Sequence, residues 1–220
     1  MFLSRMDLNP QRRGTKRFVA DPQALHAAVL ATFPPGGEES DGRVLWRLDS
    51  DGKELTLWVV SPERPSFEAI QEQAGWSQRR TDETRTYDVF LGRLAKGQTY
   101  AFRLTGNPVH TVTDDSGRKR RLGHVTVAQQ QQWFMERADP MGIAVRIVSG
   151  SWGESPDLVV HDRRVQRFRR GPAIVTLSQA TFDGTCQVED PDRLRQALIK
   201  GVGRAKGYGC GLLTLATVLG

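Results

Sequence analysis

The order of the predicted secondary-structure elements repeats along the chain, and this repetition constrains the fold more than any other feature of the sequence. A strand over Phe2–Leu8, in which every second residue lies on one face, ends at Asn9-Pro10. A second strand over Tyr100–Leu104 ends at Asn107-Pro108, 98 residues after the first Asn-Pro pair. A basic segment and then a helix follow each pair. Repetition of element order predicts two copies of one fold.

The first copy is predicted as strand, helix, strand, strand, helix, strand. Aspartate at the N-cap and proline at the first helical position open the first helix at Asp21-Pro22. The remaining predicted elements are strands Phe2–Leu8, Val44–Leu48, Leu55–Val60 and Thr86–Leu94, a helix over Ser66–Ala74, and a helix stop at Pro34-Pro35-Gly36-Gly37. This β-α-β-β-α-β order is typical of the ferredoxin-like fold.

The second copy begins after Lys96-Gly97, so residues 1–96 and 97–220 are predicted as two domains. Its predicted elements are strands Tyr100–Leu104, Ile143–Val148, Leu158–Phe168, Ala173–Phe182 and Leu212–Ala216, helices Ala128–Arg137 and Pro191–Lys200, and a basic loop at Gly117–Arg121. The predicted fold class is α+β, with two tandem ferredoxin-like (RRM-like) βαββαβ domains and a basic β-hairpin in the second.

The predicted hairpin of the second domain is unusually basic. Five arginines fall within eight residues near its tip, namely Arg163, Arg164, Arg167, Arg169 and Arg170. One interpretation is that these arginines only protect an exposed edge strand against aggregation. The density favours the other interpretation, that the hairpin binds phosphates.

The charge of the whole chain agrees with a polyanionic partner. Its formal net charge is +6 at pH 7, and 25 of the 31 cationic residues are arginine. A planar guanidinium binds phosphate through two hydrogen bonds, although a genome with arginine-rich codons would give the same excess.

The sequence offers little support for a metal site, a disulfide or a membrane. Cys186 and Cys210 are the only cysteines and form no C-x-x-C pair, so we expect a reduced, cytoplasmic protein without bound metal. The N-terminus turns charged within five residues, and no apolar run is long enough to cross a bilayer.

A glycine-rich loop connects the last helix to the last strand. Gly203, Gly209 and Gly211 let the backbone come close to a ligand, and Arg204 and Lys206 lie among them, so the loop is predicted to bind phosphate. A dinucleotide fingerprint requires strand, loop and helix in that order, whereas here the helix comes first, so no nucleotide cofactor is expected. A turn that packs a C-terminal strand tightly would carry similar glycines.

Two further candidates lie near the N-terminus. Arg12, Arg13, Lys16 and Arg17 fall in the segment Gln11–Arg17, predicted as a loop that is either solvated or faces phosphate. His26 lies in the second turn of the helix opened by Asp21, at the edge of its apolar face. The helix dipole favours a neutral imidazole there, which suits a general base, although a surface histidine without a function fits the same position.

These residues together resemble the CRISPR-associated CasE endoribonucleases, which cut the repeat RNA of type I-E systems. The resemblance covers nearly the whole chain and rests on Phe2-Leu3-Ser4-Arg5, Leu25-His26, Phe102-Arg103-Leu104 with Asn107-Pro108, Gln132-Trp133, and Gly201-Val202-Gly203 to Gly209-Cys210-Gly211-Leu212-Leu213. It implies tandem ferredoxin-like domains, cleavage at the base of a CRISPR repeat stem-loop RNA without metal, and retention of the product with the other subunits of the Cascade complex.

By position, the resemblance makes His26 the catalytic histidine and the run from Arg163 to Arg170 the grip on the RNA stem. Attack by the 2′-hydroxyl would leave a 2′,3′-cyclic phosphate and a 5′-hydroxyl. Family members often carry a tyrosine three residues before the histidine, where this chain has Gln23, and Lys16 or Lys206 could share the acid role. The alternative is a non-catalytic RNA-binding subunit with the same fold.

Overall fold

The structure is a computed structural model that describes residues 1–34, 43–151 and 153–218. The chain divides into two compact units. The first contains Met1–Arg93, Ile199–Gly201 and Lys206–Leu212. The second contains Leu94–Leu198, Val202–Ala205 and the chain from Leu213 onward. The segment after the last helix therefore contributes residues to both units.

The first unit has the predicted βαββαβ order, with two additional helices. Its elements are β1 (Phe2–Leu8), α1 (Arg13–Ala20), α2 (Pro22–Leu30), β2 (Leu45–Ser50), β3 (Leu55–Ser61), α3 (Glu68–Ala74), β4 (Glu83–Thr86) and α4 (Asp88–Gly92). The four strands form one antiparallel sheet in the order β2-β3-β1-β4. The two central strands are thus β1 and β3, as the ferredoxin-like fold requires.

The helix α1 corrects the loop predicted over Gln11–Arg17. Thr15 and Phe18 are buried on one side of it, and the cationic side chains occupy the other side. Gly14 lies where a Cβ atom would overlap the carbonyl of Gln73, so glycine lets α1 approach α3 closely. The prediction failed because the high density of arginine and lysine concealed a short amphipathic helix.

The fourth strand also differs from its prediction over Thr86–Leu94. The strand is β4, whose residues are polar because it lies at the sheet edge. The apolar run after it forms α4, and Tyr87 and Leu91 are buried four residues apart, which is a helical spacing. A short apolar run does not distinguish a buried strand from one helical turn.

The core of the first unit lies between the sheet and helices α1, α2 and α3. Met6 and Leu57 from the central strands are fully buried against Leu25 and Val29 of α2 and Phe18 of α1. Leu25 and Val29 lie on the apolar face that the sequence predicts for this helix. The stop predicted for this helix at Pro35-Gly36-Gly37 lies outside the described residues.

The second unit repeats the order and adds hairpins. Its elements are β5 (Thr99–Gly106), β6 (Val109–Thr113), β7 (Lys119–Gly123), α5 (Val127–Ala138), β8 (Ile143–Val145), β9 (Ile147–Gly150), β10 (Gly153–Pro156), β11 (Leu158–Arg170), β12 (Ala173–Val188), α6 (Pro191–Lys200) and β13 (Leu213–Thr217). The sheet order is β11-β12-β5-β13, and β8 also pairs with β12. All these pairs are antiparallel.

Two predictions in the second unit need correction. The basic loop at Gly117–Arg121 is the end of a hairpin, because Lys119–Gly123 pairs with Val109–Thr113. The strand predicted over Ile143–Val148 is divided between β8 and β9. The long basic hairpin is confirmed, with β11 and β12 paired from Leu158↔Gly184 to Arg170↔Ala173.

Aromatic side chains form the core of the second unit. The rings of Phe102 and Phe134 stack with centroids 4.9 Å apart, and Phe134 and Phe182 lie 5.2 Å apart. Trp133 packs on Phe182 at 5.5 Å. These contacts fix α5 on the sheet, and the helix begins with a capping box between Thr126 and Gln129.

Candidate functional site

The candidate site in the first unit is built around His26 on α2. The Asp21 side chain caps this helix by accepting a hydrogen bond from the Gln23 backbone N–H at 2.9 Å, and Pro22 occupies its first turn. His26 is half-buried, one residue after the fully buried Leu25. The imidazole therefore lies at the edge of the buried face, as the sequence predicts.

Trp46 on β2 is the hydrogen-bond partner that defines the orientation of the imidazole. Its indole Nε1–H donates to His26 Nδ1 at 3.2 Å. Trp46 is 3% exposed and belongs to the hydrophobic core of the first unit. An indole N–H can only donate, so Nδ1 is an acceptor and a neutral His26 carries its proton on Nε2.

The glycine loop approaches this pair at two positions. An added Cβ at Gly207 would lie 3.3 Å from His26 Nε2. At Gly209, where φ is +76°, an added Cβ would lie 2.7 Å from Cζ3 of Trp46. Both glycines belong to the segment Lys206–Leu212 of the first unit. The absence of side chains at these two positions lets the loop backbone pack against the imidazole and the indole.

Lys206 is the cation nearest in sequence to this contact. It begins a single 3-10 turn over Lys206–Tyr208, and its ammonium donates to the Lys200 carbonyl at 2.6 Å. Burial, and then the positive charge of Arg43, lower the pKa of Lys206 below its usual range. The lysine is thus better able to release a proton than an exposed lysine.

The cations predicted near the N-terminus lie on α1 and immediately before it. Arg13, Lys16 and Arg17 are exposed on the helix. Arg12 is half-buried and donates to the carbonyl of Glu72. The helix therefore presents three exposed cations, while Arg12 also holds the start of α1 to α3.

In the second unit, two of the five hairpin arginines make structural contacts. Arg163 donates to the Gln130 side chain at 2.8 Å and to the carbonyl of Val125. Arg164 donates to the Gln179 side chain at 2.7 Å. A β-bulge separates His161 from Arg164, so these two arginines do not follow the regular alternation of the strand.

The other three arginines lie toward the hairpin tip. Arg167, Arg169 and Arg170 are exposed, and within the described chain no ion pair joins them to an acidic side chain. Arg167 pairs in register with Thr176, and Arg169 with Ile174. Side chains alternate along a strand, so Arg167 and Arg169 share one face while Arg170 lies on the other.

The remaining predicted loop residues are divided between the units. Gly203 and Arg204 are exposed in the second unit, and an added Cβ at Gly203 would lie 3.3 Å from Trp133. Gly209 and Gly211 are buried in the first unit. Packing against aromatic rings thus explains glycine at two of these positions, and RNA contact there remains a prediction.

Trp46 is a residue of the site that was not predicted from the sequence. Trp46 and Leu48 are two positions apart on the predicted strand and therefore lie on the same face, the one expected to pack on the helices. Nothing in a single sequence connects Trp46 to His26. That contact depends on the packing of α2 on the sheet.

Residues 1–34, 43–151 and 153–218 contain no group of three or more His, Cys, Asp or Glu side chains placed to hold a metal ion. Across the same part of the chain, no helix has both the length and the hydropathy needed to cross a membrane.

Comparison with known proteins identifies relatives of this chain. The family model described as CRISPR associated protein matches residues 1–217. The CRISPR-associated endoribonuclease Cse3 of Thermus thermophilus is 28% identical over 222 residues, covering 98% of this chain and 100% of that protein. The CRISPR system Cascade subunit CasE of Escherichia coli is 27% identical over 132 residues, covering 56% of this chain and 61% of that protein.

A solved structure with RNA shares the fold. In the complex of CRISPR endoribonuclease Cse3 with a 19-nucleotide RNA, the protein is 26% identical to this chain. The alignment covers 98% of this chain and 100% of that one, with a TM-score of 0.78. The α+β fold with two ferredoxin-like domains is therefore common to both.

Proposed function

Because the chain belongs to the family of CRISPR associated proteins, we propose that it is an endoribonuclease that cuts CRISPR repeat RNA at the base of the repeat stem-loop. The name of the Thermus thermophilus relative and the RNA bound in the solved structure support this proposal. The observation in this chain that carries it is His26, hydrogen-bonded to Trp46 on one ring nitrogen and approached by the Gly207 backbone near the other.

RNA supplies its own nucleophile for this reaction. The 2′-oxygen attacks the adjacent phosphorus while its hydroxyl proton is removed, and the bond between phosphorus and the 5′-oxygen breaks. The 5′-oxygen keeps the electron pair of that bond and takes up a proton. The products are a 2′,3′-cyclic phosphate and a 5′-hydroxyl. The protein accelerates this route by aligning the 2′-oxygen with the phosphorus and by offsetting charge on the phosphate oxygens.

The first unit provides two groups suited to these tasks. His26 acts at the scissile phosphate, where an imidazole can transfer a proton or donate a hydrogen bond. Lys206, one residue before Gly207, adds a cation whose lowered pKa suits proton transfer. The exposed cations of α1, including Lys16, bind phosphates of the same RNA.

The basic hairpin binds the stem. The major groove of A-form RNA is too deep and narrow for most side chains, so contacts to the stem fall on phosphates. Arg167, Arg169 and Arg170 are exposed near the hairpin tip and lack acidic partners within the described part of the chain, so they are available for such contacts. Arg163 and Arg164 contribute less, because their guanidinium groups already bond to Gln130 and Gln179.

Other Cascade subunits are the proposed protein partners. The Escherichia coli relative is named a Cascade subunit, and retention of the cut RNA would make this chain part of such an assembly. A cytoplasmic location belongs to the same proposal, because the CRISPR RNA would be processed there.

One observation favours a second candidate function, a non-catalytic RNA-binding subunit. Gln23 occupies the position at which a tyrosine is expected three residues before His26. In this alternative the chain binds the repeat stem-loop but does not cut it.

The test uses end-labelled repeat RNA with the full chain in excess chelator. We expect one cut, a cyclic phosphate on the upstream product and a 5′-hydroxyl on the downstream product. A 2′-deoxy nucleotide immediately before the scissile phosphate should abolish cutting and leave binding unchanged. Binding without cutting would support the second candidate, and cutting that stops with chelator would contradict the proposed chemistry.

A further inference from the structure

The Trp46–His26 contact limits what the histidine can do. Trp46 Nε1–H is a donor only, and it lies 3.2 Å from His26 Nδ1. If His26 carried a proton on Nδ1, two N–H groups would face each other at this distance. The contact therefore favours the neutral tautomer with its proton on Nε2.

The indole is held firmly enough to impose this preference. Trp46 is 3% exposed and packs in the core with Leu25 of the same helix that carries His26. Its register partner on β3 is Val59, which is fully buried. On its ring edge, the approach of Gly209 is so close that a Cβ there would lie 2.7 Å away. Tight packing on these sides opposes rotation of the indole away from His26.

The other ring nitrogen is the one that meets the loop. An added Cβ at Gly207 would lie 3.3 Å from His26 Nε2, so this nitrogen is on the side of the ring near the loop backbone. A base at this position would need a lone pair on Nε2 to accept the proton of the 2′-hydroxyl. In the tautomer that Trp46 favours, Nε2 carries a hydrogen and has no lone pair to offer.

We propose that Trp46 is a positioning residue that holds His26 with its proton on Nε2, so that His26 donates a hydrogen bond to a phosphate oxygen and does not deprotonate the 2′-hydroxyl. This inference rests on the proposed function, which places the scissile phosphate at His26. Negative charge develops on the phosphate oxygens during attack, and a preoriented neutral donor stabilises that charge. The proton of the 2′-hydroxyl then passes to solvent water, and the 5′-oxygen takes a proton from water as it leaves.

The direct test is the protonation of the His26 ring, measured by nitrogen-15 NMR at a pH at which the ring is neutral. The chain has four histidines, and the signals lost in His26→Asn identify the ring concerned. We expect the parent to show a protonated Nε2 and an unprotonated Nδ1, and Trp46→Phe to show a mixture of both tautomers. A proton on Nδ1 in the parent would overturn the proposal, whether or not the variant folds.

The kinetic test compares Trp46→Phe with Trp58→Phe in single-turnover cleavage. Trp58 is on the same sheet but on its other face, since β3 residues alternate and Val59 is the partner of Trp46. We expect Trp46→Phe to cut about fivefold more slowly, which corresponds to one neutral hydrogen bond, and Trp58→Phe to cut at the parental rate. Unchanged cleavage or unchanged ring signals in Trp46→Phe would refute the positioning role.

The two proposals fail in different ways. If His26→Asn cuts at the parental rate, the proposed function is wrong at this residue regardless of the tautomer. If His26→Asn is inactive while the parent carries its proton on Nδ1, the proposed function stands and the role of Trp46 is wrong.

Discussion

Replacing Arg167 and Arg169 together by alanine should weaken RNA binding and flatten its dependence on salt. The two residues are exposed, lie two positions apart on β11 and therefore share one face of the hairpin. Their spacing along the strand is about 7 Å. If each guanidinium neutralises one phosphate, each contributes a slope of about 0.7 to 0.9 in log affinity against log salt.

The expected magnitude follows from this count. Loss of both contacts should reduce the slope by about 1.4 to 1.8. Between 50 and 200 mM salt, the parent would then lose about sevenfold to twelvefold more affinity than the double variant. Equilibrium binding of the repeat stem-loop, titrated at four or more salt concentrations across this range, measures the difference.

Two other double variants serve as controls. Arg64→Ala with Arg79→Ala removes the same charge from exposed positions of the first unit and should leave the slope unchanged. Arg163→Ala with Arg164→Ala removes groups that bond to Gln130 and Gln179, so its main effect should be a lower melting temperature. If Arg167→Ala with Arg169→Ala binds with the parental affinity and slope, the hairpin is an edge strand protected by charge, and the reasoning is refuted.

Two further predictions test local contacts. Gly207→Ala should slow cleavage, because the new methyl group would press on His26 Nε2 at 3.3 Å. Gly92→Ala places a methyl group in open space and should cut at the parental rate. Equal rates for the two variants would show that the loop contact has no catalytic role. The Asp183 carboxylate accepts a hydrogen bond from Arg103 at 2.8 Å. Burial raises the pKa of Asp183, but the hydrogen bonds and positive charges of Arg103 and His161 lower it overall. The stability that Asp183 contributes should therefore be present above its unfolded pKa and disappear as the pH falls through the lower folded pKa. Asp183→Asn should therefore lower Tm by roughly 2 to 4 °C at pH 7, for a loss of about 1 kcal/mol. The decrease should become smaller as the pH is lowered through the folded pKa of Asp183, and an equal decrease at every pH would contradict this sign.

Hydrophobic periodicity predicted most of the fold because the buried strands and helices have strong patterns. The strand β1 and the helix α2 lie within a few residues of their predicted bounds, and the long hairpin turns where it was predicted, although β12 extends six residues beyond its predicted end at Phe182. The two ferredoxin-like domains are confirmed by the sheet order and by the likeness to the RNA-bound structure. The resemblance to CRISPR-associated proteins is confirmed by the family match over residues 1–217.

The parts of the structure that were predicted wrongly or not at all have physical explanations. In α1, only Thr15 and Phe18 are buried, and three of the other six residues are cationic, so the helical signal was weak. In β4, an edge strand has no buried face to produce alternation. The predicted first strand of the hairpin ended at Phe168, whereas β11 continues to Arg170, so the alternation that places Arg167 and Arg170 on different faces was not predicted.

The contact between His26 and Trp46 could not be read from the sequence for a different reason. The two residues are 20 positions apart on a helix and a strand, and their distance is set by how α2 packs on the sheet. The sequence identified His26 as a candidate through its position beside an apolar stripe. The partner that orients its ring became evident only with the packing.

The measurement that tests the central claim most directly is single-turnover cleavage of repeat RNA by His26→Ala at saturating protein. We expect a rate lower by roughly 10² to 10⁴ with nearly unchanged RNA affinity, because the arginines proposed to bind phosphate are intact. His110→Ala, an exposed histidine of the second unit, should cut at the parental rate. A decrease of less than about tenfold for His26→Ala would contradict the claim that this residue acts at the scissile phosphate.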